Sequence, residues 1–126
     1  MVLMDVIKLD QFLNAVNNIL RPGGSFIFSV THPCFWPAYY GYSREHWYRY
    51  EENILISGPF KITGDSDCSL TSTHVHRPIS KYIEGFSKAN LSLETLLEPM
   101  PDKKTENMYP SPWKVPRYLF GVCSSK

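Results

Sequence analysis

The four residues Arg21-Pro22-Gly23-Gly24 constrain this chain most, because they separate two runs that cannot continue into each other. Ahead of them, Phe12, Leu13, Val16, Ile19 and Leu20 follow steps of one, three, three and one, which places them on a single helical face. Asn14, Asn17 and Asn18 fall on the other side. Proline then removes a backbone donor, and glycine accepts the positive φ that a sharp reversal needs. Behind the turn, Ser25-Phe26-Ile27-Phe28-Ser29-Val30 is a short apolar run whose polar positions are too few for one-sided burial. Such a run predicts a strand covered on both faces, as in a parallel sheet. Helix, tight turn and buried strand together predict an α/β fold.

A chain of 126 residues is enough for one domain. Thirteen basic and twelve acidic side chains leave a formal charge of +1, so no broad field attracts nucleic acid or an anionic membrane. Asp5, Lys8 and Asp10 interrupt the apolar start, and no stretch approaches the roughly twenty apolar residues of a spanning helix. The three cysteines, Cys34, Cys68 and Cys123, are odd in number and lack framework spacing, which fits thiols in a reducing compartment. A soluble, cytoplasmic protein is expected.

Residues 35–50 interleave Phe35, Trp36, Tyr39, Tyr40, Tyr42, Trp47, Tyr48 and Tyr50 with Pro37, Gly41, Arg44, His46 and Arg49, and no single period explains them. They predict an ordered loop. Between 53 and 63, Ile54, Ile56, Phe60 and Ile62 share a strand face, with Gly58-Pro59 marking a bulge or bend. Gly64-Asp65-Ser66-Asp67 is turn chemistry, and residues 69–76 supply the returning strand of a hairpin. Pro78 opens a second helix with the stripe Ile79, Tyr82, Ile83 and Phe86, and Asn90 provides a left-handed stop. Residues 91–98 and 118–123 read as strands, separated by a proline-rich connection.

Val2-Leu3-Met4-Asp5, the helix ending Ile19-Leu20-Arg21-Pro22-Gly23-Gly24, its following strand and Thr31-His32-Pro33-Cys34-Phe35 resemble class I S-adenosylmethionine-dependent methyltransferases of the small-molecule type. In that family a leucine-arginine/lysine-proline-glycine-glycine turn leads into the fifth strand. His76-Arg77-Pro78, Tyr82 and residues 93–99 look like the family's later helix and sixth strand, and residues 118–123 like its antiparallel seventh. The resemblance covers nearly all of this chain but only the family's second half. It implies a single truncated domain over 1–126: the carboxyl-terminal half of a Rossmann-like, doubly wound sheet. That half has strands five to seven, two main helices and an inserted aromatic loop and hairpin at about 35–76.

The family's glycine-rich cofactor loop, where the backbone must approach the ligand closely, has no counterpart here. Gly23-Gly24 follows a helix and precedes a strand, the reverse order. Val2, Leu3, Met4 and Asp5 correspond to a segment bordering the methyl donor, so S-adenosylmethionine belongs to the full-length family and is not expected to bind this chain alone. The function implied is the substrate-side segment of a small-molecule methyltransferase, inactive by itself. The alternative is a non-catalytic protein-binding module, or a decayed gene product, using an exposed sheet edge and the aromatic loop. Either way, the strand at 25–30 loses a neighbour on one side, and a homodimer across that edge is expected.

By the same resemblance, His32 and His76 are candidate general bases; the aromatic loop, with Trp36, Tyr39 and Tyr40, reads as a substrate lid, and Arg77 and Tyr82 are further candidate substrate contacts. Each has a plainer reading. The aromatic loop is equally a satellite cluster over the hairpin. As a stacking surface for single-stranded nucleic acid it is weak, since Glu45, Glu51 and Glu52 cancel Arg44 and Arg49. His32 equally positions its loop through a backbone hydrogen bond. Arg77 either clamps an anion or pairs with Glu51, Glu52 or Glu84. Tyr82 suits the core with a polar tip. Strand alternation turns Ser72, His74 and His76 to one side, but two histidines make half a zinc site, and no metal is expected.

Overall fold

The computed structural model describes residues 2–60 and 68–126, and the expected turn at 64–67 and Ile62 lie outside them. The elements run α1 (Leu9–Ile19), β1 (Ser25–Thr31), α2 (Trp36–Tyr40), β2 (Ile54–Pro59), β3 (Thr71–His76), α3 (Ile79–Lys88), β4 (Leu91–Leu97), α4 (Lys103–Glu106) and β5 (Tyr118–Ser125). Three strands form one sheet in the order β1-β5-β4, and β2 and β3 form a separate hairpin. Every pairing among these elements is antiparallel. This is a mixed α/β fold.

The helix before the glycine turn buries Leu9, Leu13 and Val16, spaced by four and three, while Ile19 is 81% exposed and leaves the expected stripe. Gly23 has φ +75°, which the reversal requires. In α3 the buried line is Tyr82, Gly85 and Phe86, and Ile83 faces outward. Gly85 lets the two helices touch: a Cβ there would stand 3.0 Å from Leu13 Cδ1. Asn90, at φ 57°, makes the expected left-handed stop. Pro78 caps α3 from one residue ahead of it rather than opening it.

Both helices join one core with Phe28, Val30, Leu91, Leu119 and Cys123. The Phe28 and Phe86 rings stand 4.8 Å apart. Phe28 lies across β5 where Gly121 offers no side chain, and a Cβ there would fall inside its ring. Burial also holds the Cys123 thiol up at about 11, so it stays protonated within the core.

The expectation of a parallel strand covered on both faces does not hold for β1. Phe26, Phe28 and Val30 turn toward the helices, but Ile27 is 72% exposed. Phe120 and Leu97, which share its face through the β5 ladders, are also exposed. The strand alternates instead: Phe26, Phe28 and Val30 form its covered face, and Ile27 stands among Ser25, Ser29 and Thr31 on the other. Thr31 and Tyr118 lie at the far end of that open face, where loops gather over it.

The bulge expected at Gly58-Pro59 is absent: Gly58 opposes Ser72 and Pro59 opposes Thr71 in unbroken register. Gly58 lies beside Tyr40, where an added Cβ would make only an ordinary contact. The aromatic segment is also not all loop. Pro37 sits in the first turn of α2 and Gly41, at φ 102°, ends the helix. No helix among the described residues is long and apolar enough to cross a membrane.

Candidate functional site

Two backbone attachments hold the segment before α1 against the hairpin. Val75 N–H donates to the Met4 carbonyl at 2.7 Å, which adds a rung beside β3. Arg77, 4% exposed, reaches across to the same segment. Its Nη1 donates to the Leu3 carbonyl at 3.3 Å, and Nη2 donates to the carbonyls of Val6 and of Ile7, the latter at 2.9 Å. It also donates to the Tyr82 hydroxyl. The guanidinium is therefore occupied by backbone, neither presented to a ligand nor paired with Glu84, whose partners are Lys81 and Lys88. Tyr82, 3% exposed, lies in the core with its hydroxyl on Arg77, and burial raises its pKa.

This fastening brings Met4 and Asp5 to the rim of a cleft of about 590 Å³. Thr31 from the end of β1, Trp36, Tyr39 and Tyr40 from α2, Ser72 and His74 from β3, and Tyr109, Arg117 and Tyr118 from the last connection and β5 complete most of its wall. A concave, largely aromatic space of this size suits a small molecule. Three of the expected substrate residues and two of the expected donor-side residues thus share one cavity. Leu3 does not reach it, being 3% exposed in the core, and Val2 is exposed elsewhere.

The aromatic segment divides its work. Trp36, Tyr39 and Tyr40 wall the cleft, while Tyr42 centres a cluster over the hairpin. Its ring stands 5.8 Å from Trp47, 5.5 Å from Tyr48 and 6.0 Å from His74. Burial pushes the Tyr48 hydroxyl up to about 12 and the Tyr42 hydroxyl higher still, so both stay protonated and able to donate.

Neither histidine expected as a base lines the cleft. His32 is 1% exposed; its Nε2–H donates to Glu98 Oε1 at 2.6 Å, and its Nδ1 accepts the Cys34 N–H at 3.2 Å. Both ring nitrogens are thus taken, and the loop after β1 is fixed to the end of β4. His76 donates Nε2–H to the Tyr50 carbonyl at 2.9 Å and packs against the Tyr48 and Tyr50 rings. His74 is the histidine on the cleft wall, edge-on to Tyr40 at 5.5 Å, with the Tyr42 hydroxyl 3.4 Å from its Nε2. Burial lowers the pKa of His74, opposed by nearby Asp5, and burial likewise lowers that of His76. A neutral imidazole facing a cavity can accept a proton.

Arg117 is the wall residue that the sequence reading missed. It is 7% exposed, and its guanidinium lies 4.3 Å from the Tyr39 ring centroid and 4.5 Å from that of Trp113. In sequence it is one arginine between a proline and a tyrosine, and only the fold brings those rings around it.

No protein-family model matches the sequence, and no curated protein matches it. Solved structures do. One from Listeria monocytogenes, described as an S-adenosylmethionine-dependent methyltransferase, aligns with a TM-score of 0.70 at 23% identity, over 98% of this chain and 57% of its own. A methyltransferase of the same description from Mesorhizobium loti gives 0.62 at 18%, over 97% and 57%. A third, from Clostridium acetobutylicum, gives 0.52 at 11%, over 92% and 50%. The chain thus has the Rossmann-like fold of S-adenosylmethionine-dependent methyltransferases and spans just over half the length of the first two structures it matches.

Proposed function

We propose that this chain is the substrate-side segment of a small-molecule S-adenosylmethionine-dependent methyltransferase, equivalent to the carboxyl-terminal half with strands five, six and seven. The observation that carries the reading is the single cleft that joins Met4 and Asp5 to Trp36, Tyr39, Tyr40 and His74. S-adenosylmethionine, when bound, supplies an electrophilic methyl group on a sulfonium. Met4 and Asp5 fit one edge of a site for it, since both border the cleft and Asp5 is exposed. The other residues act on the acceptor. Trp36, Tyr39 and Tyr40 exclude water and fix a flat molecule, which raises the population of productive poses. His74 takes the proton from a hydroxyl or amine acceptor. His32, His76 and Arg77 are positioning residues: they hold the loop after β1, the aromatic cluster and the donor-side segment.

Titrating the isotopically labelled chain tests this. Phenol should move the amide signals of Trp36, Tyr39, Tyr40 and His74. S-adenosylhomocysteine should give only weak, unsaturated shifts at Met4 and Asp5, because the glycine-rich loop belongs to the part of the fold without a counterpart here. Phenol shifts scattered away from the cleft would overturn the reading, as would tight, low-micromolar binding of S-adenosylhomocysteine remote from Met4 and Asp5.

A further inference from the structure

We infer that Arg117 is an anion anchor and that the molecule taken by this cleft is a flat carboxylic acid. The inference rests on the cleft being the substrate site proposed above and names the chemistry it selects. A buried guanidinium is costly unless acceptors satisfy it, as three backbone carbonyls do for Arg77. Among the described residues Arg117 has no such set. Among the described residues its side chain donates only to Ser111 Oγ, at a long 3.5 Å, and otherwise touches ring faces. Asp5, the only carboxylate residue among the described residues lining the cleft, makes no ion pair with it.

The surroundings are short of acceptors in general. The indole N–H groups of Trp36 and Trp113, both buried, have no hydrogen-bond partner among the described residues. Trp113 stacks on Arg117, and Trp36 lies 5.0 Å from Tyr39, whose ring Arg117 covers. Around Arg117 the described residues thus leave donors unmet, complementary to a ligand with acceptor oxygens. Rings around the guanidinium hold its plane still, so that its remaining N–H pairs can meet both oxygens of a carboxylate at once. A lysine would offer one mobile charge in place of that fork. The flat body of the acid would lie along Trp36 and Tyr39, with its nucleophilic group toward His74.

Two carboxylates satisfy this chemistry, the acceptor's own and the methionyl carboxylate of the methyl donor. The test separates them. The 126-residue chain is titrated with 4-hydroxybenzoate, its neutral isostere 4-hydroxybenzamide, and S-adenosylhomocysteine, and binding is read from tryptophan emission and from amide shifts. We expect 4-hydroxybenzoate to bind at least about tenfold more tightly than the amide, because a charge-assisted pair is lost in the latter. Arg117→Lys should reduce that preference by weakening the acid more than the amide. Equal binding of acid and amide overturns the anchor but leaves the cleft as a small-molecule site. Binding of neither overturns the anchor together with the proposed function. An Arg117-dependent response to S-adenosylhomocysteine, with none to 4-hydroxybenzoate, overturns the substrate assignment. The acid–amide comparison needs no variant, so it decides the matter even if Arg117→Lys fails to fold.

Discussion

Replacing Arg77 by methionine removes the clip on the donor-side segment while roughly keeping side-chain volume. Three backbone carbonyls lose a charged donor: that of buried Leu3, that of half-buried Val6 and that of exposed Ile7. Water replaces the donor at Ile7 freely and at Leu3 poorly, so the three losses do not add. A hydrogen bond to a charged group contributes about 1.5–3 kcal/mol. Relief of guanidinium desolvation offsets part of the loss. The net expectation is destabilisation of about 2–3 kcal/mol, a large share of the ~5–15 kcal/mol typical of a domain. That corresponds to a fall of roughly 10 °C in melting temperature for a chain this size. Thermal melting by circular dichroism reads the total, and hydrogen exchange at the Val75 amide, which donates to Met4, reads the segment itself. Arg77→Lys should fall between the two, since one ammonium cannot reach all three carbonyls. A variant melting within about 2 °C of the parent, with Val75 as protected as before, would falsify the account of Arg77 as the clip.

Two further outcomes are expected. Burial holds His74 and His76 below the ordinary value of 6.5. Below pH 6.5 the unfolded chain therefore takes up protons that the folded chain refuses, so stability present above that pH is lost as pH falls toward the folded values. His76→Gln, which keeps a donor for the Tyr50 carbonyl, should flatten that slope in denaturation curves at pH 5 to 7.5, and an unchanged slope would point to other groups. The outer edge of β1, paired only with β5 among the described strands, should recruit a second copy. Sedimentation at tens of micromolar should then give a dimer, and a clean monomer would mean that the edge is covered within one chain.

Much of the fold was legible because local chemistry and global packing agree. The glycine turn and the Asn90 stop each follow from residues whose backbone demands are met on the spot, while the antiparallel direction of the last strand came from the family resemblance. Misreadings arose where a pattern had two physical sources. The run at 25–30 puts Phe26, Phe28 and Val30 on one face and Ser25, Ile27 and Ser29 on the other, an alternation that its overall apolarity masks. Gly58 read as a bulge because glycine in a strand often signals one, yet it pairs with Ser72 in regular register. The site divided in the same way. Trp36, Tyr39, Tyr40, Met4 and Asp5 reach the cleft, whereas His32, His76 and Arg77 are taken up by partners 26 to 74 residues distant. Sequence identifies groups able to do chemistry. Whether their hydrogen bonds are already committed depends on contacts that no local pattern encodes.

The placement of β5 bears on how this chain reaches its folded state. It is the last strand in order yet stands in the middle of the sheet, and β1 and β4 touch it rather than each other. Among the described strands, β1 and β4 of a growing chain have no sheet partner until residues 118–125 are made. Every ladder of the sheet then closes in one event, with loop-closure entropy lost before any pairing is gained. Until that moment Ile27, Phe28 and Leu91 belong to open edges, the kind of surface on which nascent chains aggregate and chaperones act. Clipping a few residues from the carboxyl-terminal strand would return the molecule to that state, so for this fold the final eight-residue strand governs the persistence of the whole sheet.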